Sequence, residues 1–183
     1  MRISKFIQTI FISVLVLIFS CNNGENKDKK NTSQNHQVSQ NKSLCDSIKN
    51  LKDYTPLVDA PIKKNSTFKV LRMLNFNEGK WFAVLDCDQN VYLDSTFLLK
   101  KGMYLMNDLN VLKKMQIDWE VKYIGADCCT PDMNIYFFKN GKLFYESGIL
   151  KGNEGFQNGV YGWTPVKKNG IIGQYLKTFT LCK

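Results

Sequence analysis

The strongest constraint in the chain is a two-residue break. Asn140-Gly141 separates two apolar runs, Met133–Lys139 and Lys142–Leu150. A type I′ turn needs φ > 0 at both central positions, and Asn-Gly adopts this with least strain. The pair therefore predicts a tight antiparallel hairpin. Other stretches carry the same texture. Phe68–Phe76 and Lys80–Asp88 are β-leaning runs around Asn77-Glu78-Gly79, a second hairpin-like junction, and Val91–Leu93 follows Gln89-Asn90. Ile117, Trp119, Val121 and Tyr123 alternate with Asp118, Glu120 and Lys122, the pattern of a strand with one buried and one wet face. Ile171–Leu181 reads as a final strand.

Helical spacing occurs twice. Ser43 with Asp46 three residues on resembles a capping box, and Leu44, Ile48 and Leu51 then recur on one face until Pro56 forces a stop. Leu105, Leu109, Leu112 and Met115 follow the same rule, with Asn107 or Asp108 as cap. The expected fold class is α+β: a small antiparallel β-sheet of about six strands with one or two short helices, forming a single domain over 43–183. With 44% hydrophobic and 13% aromatic residues the chain can build a core. It has no internal repeat.

The N-terminal stretch has a different character. Arg2 and Lys5 precede a mostly apolar run from Phe6 to Phe19, about fourteen residues, against the roughly 20 that a membrane-spanning helix needs. The run ends in Ile18-Phe19-Ser20-Cys21. This resembles the lipobox of bacterial lipoproteins, with Phe19 bulkier than the residue usual there. The resemblance implies a signal peptide over 1–20, cleavage before Cys21 and lipid on that cysteine, so that the chain is held on a membrane without crossing it. The segment 22–42 contains Val38 as its single aliphatic residue and no aromatic one. It cannot bury enough apolar surface to offset the entropy of ordering, so a disordered tether over 21–42 is expected, with a mean reach of roughly 25 Å. The tether is not acidic, and Asn rather than Asp follows Cys21. Both features favour the periplasmic face of an outer membrane, or the outer face of the cell membrane where there is only one.

Composition also excludes chemistry. The only histidine, His36, lies in the tether, so triads and zinc sites built on a domain histidine are ruled out. Asp86-x-Asp88-x-Asn90 opens like an EF-hand loop. It then has Val91 where glycine is needed and Phe97 where the bidentate glutamate belongs. The net charge is +9, but lysines are scattered as doublets such as Lys63-Lys64 and Lys113-Lys114, and Arg72 is the domain's sole arginine. No nucleic-acid partner is expected. Nothing in the sequence implies a metal or cofactor, and no residue is assigned a catalytic role.

The domain carries Cys45, Cys87, Cys128, Cys129 and Cys182, an odd number that leaves at least one unpaired. Cys87 shares a strand face with Trp81, Ala83 and Leu85 and is expected to be buried. A Cys45–Cys182 bridge would close a long loop, but spacing alone leaves the pairing open. Adjacent Cys128 and Cys129 could form a strained ring disulfide; however, their flanks are Asp127 and Asp132 rather than cations, which disfavours a reactive thiolate. Gly152–Tyr175 interleaves six glycines with Phe156, Tyr161, Trp163 and Tyr175. Of these, Phe156, Tyr161 and Trp163 are the candidate binding loop, because aromatic side chains supply much of the energy of recognition. Asp46-Ser47-Ile48 and Asp94-Ser95-Thr96 resemble a three-residue O-glycosylation motif of one group of Gram-negative envelopes.

The functional expectation is a membrane-anchored envelope lipoprotein acting as a non-enzymatic binding module for a protein partner, as an immunity or inhibitor protein or as an accessory subunit of an envelope complex. The alternative is an envelope enzyme working through Cys128 and Cys129 or through the Asp86, Asp88, Asp127 and Asp132 group.

Overall fold

The Asn140-Gly141 hairpin forms at the centre of the sheet. In the computed structural model, which describes residues 43–46, 62–125, 130–152, 154–158 and 162–182, Asn140 and Gly141 have φ of 52° and 79°. They join β7 (Met133–Lys139) to β8 (Lys142–Leu150), with Lys139 opposite Lys142. The register shifts between Phe137 and Phe138, a bulge that leaves Phe144 without an opposite number and bends the hairpin.

Around it lie β1 (Thr67–Lys69), β2 (Trp81–Cys87), β3 (Val91–Tyr92), β4 (Leu98–Leu99), β5 (Gly102–Met106), β6 (Glu120–Lys122), β9 (Gly155–Asn158), β10 (Gly162–Pro165) and β11 (Thr180–Leu181). The main sheet runs β10-β9-β8-β7-β2-β5-β11, with antiparallel pairing throughout, and β1–β6 and β3–β4 form two further two-stranded ribbons. The α+β expectation holds at this level. The sheet has seven strands rather than about six, because β9, β10 and β11 come from a C-terminal stretch whose glycine content and short runs hide them.

The helices are short. Residues 43–46 are helical, and the rest of the predicted Ser43–Leu51 helix lies outside the described residues. Helix α1 (Leu109–Asp118) is capped by Asp108, whose carboxylate accepts from the Asn110 and Val111 amides at 2.8 and 3.4 Å, and it buries Leu112 and Met115. Leu105, expected on the same helix, belongs to β5. Helix α2 (Ile171–Leu176) begins after Gly170, which has a φ of 77°.

Three strand expectations are corrected. Of Phe68–Phe76 only Phe68 and Lys69 are strand, within β1, which pairs with β6 rather than with β2. The rest proceeds by turns, Leu74 N–H donating to the Leu71 carbonyl at 3.0 Å, and buries Val70, Leu71, Leu74 and Phe76 from one side. The Gln116 amide caps the carbonyls of Leu71 and Leu74, which satisfies backbone groups that a strand would have paired. Asn77-Glu78-Gly79 is therefore a bend into β2 and not a hairpin; the Trp81 indole N–H donates to the carbonyls of Asn75 and Glu78. The alternation from Ile117 to Tyr123 survives only over Glu120–Lys122, since α1 runs to Asp118 and leaves Ile117 59% exposed. Ile171–Leu181 divides into α2 and β11. Ile171, Ile172, Tyr175 and Leu176 are all buried at i, i+1, i+4 and i+5, a helical face within an apolar run that also fits a strand.

The pleat sorts side chains into two cores. Trp81, Ala83, Leu85 and Cys87 of β2 face one side with Ile135, Phe137, Tyr145 and Ile149, and pack under α1, α2 and the 70–76 turns. Phe82, Val84, Leu105 and Phe138 face the other side with Cys45. There the Phe82 and Phe138 rings stack across β2–β7 at 4.7 Å, and Cys45 is bonded to Cys182 with Cα atoms 6.3 Å apart. Among the described residues no helix is long and apolar enough to cross a membrane.

The bridge spans 137 residues of sequence. Its removal frees a long loop in the unfolded chain, and Cys182→Ser should cost about 2–4 kcal/mol in urea unfolding at unchanged native secondary structure. An unchanged midpoint would show that the bridge carries no stability.

Candidate functional site

The second face of the sheet is apolar at one end and polar at the other, and cross-strand register explains why. Asp86 continues the Phe82–Val84 face of β2 and lies opposite Asn134; Asn134 lies opposite Gly148, Gly148 opposite Gln157, and Gln157 opposite Trp163. The next row runs Val84, Tyr136, Glu146. Residues from five strands adjacent in the sheet, β2, β7, β8, β9 and β10, thus line up on one surface.

Over this surface lies an open cleft of about 510 Å³, lined by Pro131, Asn134, Tyr136, Glu146, Ser147, Gly148, Gln157, Asn158 and Gly162. Gly148 makes its shape possible. A Cβ at that position would collide with Cγ of Pro131, so only glycine lets the proline ring lie on the strand as a wall. The cleft is of a size that takes small ligands or a protruding side chain.

Its electrostatics are one-sided. Burial raises the proton affinity of the Glu146 carboxyl. Burial also raises that of the Tyr136 hydroxyl, with further contributions from Asp86 and Glu146. Asp86 is raised by burial and by Asp88, against an opposing effect of Lys101. Among the described residues neither Glu146 nor Asp86 is in a salt bridge. The Gln157 side-chain oxygen is buried without a hydrogen-bond partner, as is the indole nitrogen of Trp163 across the ladder. Buried polar groups are ordinarily satisfied, and an unpaired acceptor beside a half-desolvated carboxylate is a feature that a ligand would complete.

The residues expected from sequence fall in different places. Cys21, Asp127, Cys128, Cys129 and Tyr161 lie outside the described residues. Cys45 and Cys182 form the bridge, and Cys87 is a free, buried thiol whose pKa burial pushes up to about 12, aided by Asp86 and Asp88. At that value it is neutral and unreactive at physiological pH. Phe156 is fully buried with its ring 4.7 Å from Trp119, so it serves the core. Trp163 is half-buried, its indole pressed against Gly155, where a Cβ would lie 2.5 Å from Nε1. Gly155 in this region, and Gly148 on the strand before it, thus give room for rings.

Of the carboxylates, Asp86 joins the row beside the cleft and Asp88 is exposed beyond the end of β2. The Asp132 carboxylate accepts from the Lys151 amide at 2.7 Å and lines a second hollow of about 450 Å³ with Tyr92, Lys151 and Glu154. No group of three or more His, Cys, Asp or Glu side chains among the described residues is placed to hold a metal ion. Asp94-Ser95-Thr96 is an exposed turn whose Asp94 accepts from the Thr96 amide and hydroxyl and pairs with Lys177; of the companion motif, Ser47 and Ile48 lie outside the described residues. Sequence reasoning missed Tyr136, Glu146 and Gln157. The available signal was the wet-face alternation of Asn134 and Tyr136 against Met133, Ile135 and Phe137.

A carboxyl with raised folded-state proton affinity contributes stability that is present below the unfolded pKa and is lost as pH rises through the folded one. At neutral pH the buried charge of Glu146 therefore opposes folding. Glu146→Gln should raise the urea midpoint at pH 7, and the gain should shrink towards zero near pH 3.5, where the wild-type carboxyl is already neutral. A gain equal at both values would show that burial of the charge is not its cause.

No family model, no curated protein and no solved structure matches this chain.

Proposed function

We propose that the chain is a membrane-anchored envelope lipoprotein whose domain is a non-enzymatic binding module, and that the cleft over β7, β8 and β9 is where its partner engages. The observation that carries the binding assignment is the cleft itself: a concave polar surface built on regular strands, holding a buried unpaired acceptor on Gln157 and an unpaired carboxylate on Glu146. The lipobox-like Ile18-Phe19-Ser20-Cys21 and the polar segment after it support the anchorage. A tethered domain is confined near the membrane, where envelope macromolecules are concentrated. The partner is accordingly an envelope protein: a toxin or wall hydrolase that the module blocks, or a complex that it joins.

A second reading, a carboxylate-dependent envelope enzyme, draws on Asp86 and Glu146, which both act on Tyr136. Groups with raised proton affinity in a cleft are suited to general acid catalysis. Release of a low-mass product from envelope material by the wild-type domain, and not by Glu146→Gln, would favour it.

Two measurements test the main reading. Cys21→Ala should release the protein from the membrane pellet into the soluble fraction and abolish incorporation of labelled fatty acid; retention of both would remove the lipid anchor. Affinity capture of the tagged protein from solubilised native envelopes should recover one protein in near-stoichiometric amount. Asn134→Tyr, which fills the cleft from an exposed strand position, should reduce that recovery at least about tenfold with the melting temperature unchanged. Equal recovery by the variant would move binding elsewhere on the domain, and recovery of lipid alone would remove stable binding.

A further inference from the structure

We infer that the cleft recognises a primary ammonium group, which would lie between the Glu146 carboxylate and the side-chain carbonyl of Gln157. This deepens the binding reading above and rests on it.

The argument is one of unmatched chemistry. The chain carries a formal charge of +9, yet among the described residues no lysine or arginine lines the cleft. The described lining offers one carboxylate, on Glu146, with the amides of Asn134, Gln157 and Asn158 and the hydroxyls of Tyr136 and Ser147. A second carboxylate, Asp86, lies in the adjoining row opposite Asn134 and adds its field at Tyr136. Among the described residues the cleft is thus a negative island on a positive protein.

An anionic ligand would meet like charge there. A purely apolar ligand would bury the Glu146 carboxylate further and leave the Gln157 oxygen as unsatisfied as it is in the free protein. An ammonium group has three donors and no acceptor. Donation to Glu146 neutralises the carboxylate, and a turn of the Gln157 side chain, which lines the cleft one row away, would bring its buried oxygen to a second N–H of the same group. A guanidinium is planar and takes carboxylates in parallel pairs; a single carboxylate beside a carbonyl suits a compact point charge better. Pro131 and Tyr136 supply apolar and aromatic flanks for an alkyl stem.

The test uses the full-length protein in detergent and three probes: Nα-acetyl-lysine N-methylamide, its Nε-acetylated neutral counterpart, and n-butylammonium. Titration is followed by calorimetry and by amide chemical shifts in β7, β8 and β9. The lysyl probe should bind and shift the Tyr136, Glu146 and Gln157 amides. The neutral counterpart should bind at least about tenfold more weakly, as expected for loss of a charge-assisted hydrogen bond. Glu146→Gln should abolish the difference between the two probes, while Lys122→Gln, on a separate ribbon, should leave it intact. Equal binding of the two probes at the cleft would overturn the ammonium assignment and leave the binding site standing. Absence of any shift with all three probes would also overturn it, whereas the cleft reading stands or falls on the Asn134→Tyr capture. Tighter binding of the lysyl probe than of n-butylammonium would identify a protein side chain as the source of the group, and the reverse a small free amine.

Discussion

The structure depends on the register of β7 against its two neighbours. The strand sits between β2 and β8, and its pleat sends Ile135 and Phe137 into one core and Tyr136 and Phe138 to the other face. A slip of one residue would exchange those sets. Two local devices prevent it. The Asn140-Gly141 turn fixes where the hairpin closes, and the bulge beside Phe138 lets β8 absorb Phe144 while the pairing from Tyr145 onwards keeps its register. Downstream of the bulge, Glu146 and Gly148 face the cleft side together with Asn134 and Tyr136. The site is therefore a consequence of the hairpin's register, and it would be lost with it.

The second face then divides. At the end near β5 the stacked Phe82 and Phe138 rings lie with Leu105 and Cys45, and the bridge to Cys182 ties residue 45 to the residue that follows the edge strand β11. At the β9 end the same face carries Asn134, Gln157 and Trp163. Tyr136 stands at the boundary, packed against the apolar cluster and lining the cleft. Burying a carboxylate partway without a partner opposes folding, and domains hold such groups where they serve another purpose.

The features legible in the sequence were those encoded within a few residues. The Asn-Gly turn, a helix cap at Asn107 or Asp108 and the buried face of Cys87 all come from local chemistry, and each is found, the cap at Asp108. The 70–76 turns and the C-terminal helix α2 were not legible, for one reason. An apolar run without a polar counterpoint fits strand, helix or coil, and the choice is made by partners distant in sequence, such as the Gln116 amide on the Leu71 and Leu74 carbonyls. The cleft was illegible for a related reason. Glu146 and Gln157 are unexceptional wet-face residues until sheet order places them one row apart, and Gly148 looks like a weak point in a strand until Pro131 is seen lying across it.

That last pairing changes the meaning of the glycine-aromatic region. Interleaved glycines and rings suggest a pliable recognition loop, yet Gly155 is a close-approach position where a side chain would strike Trp163, as Gly148 on the preceding strand is towards Pro131. Phe156, between the Gly155–Trp163 contact and Gln157, is anchored in the main core against Trp119. The wall and floor of the cleft are consequently held by packing on both sides of the sheet, so little ordering entropy remains to oppose binding. A site fixed in this way discriminates by the match of a few polar atoms more than by adapting its shape.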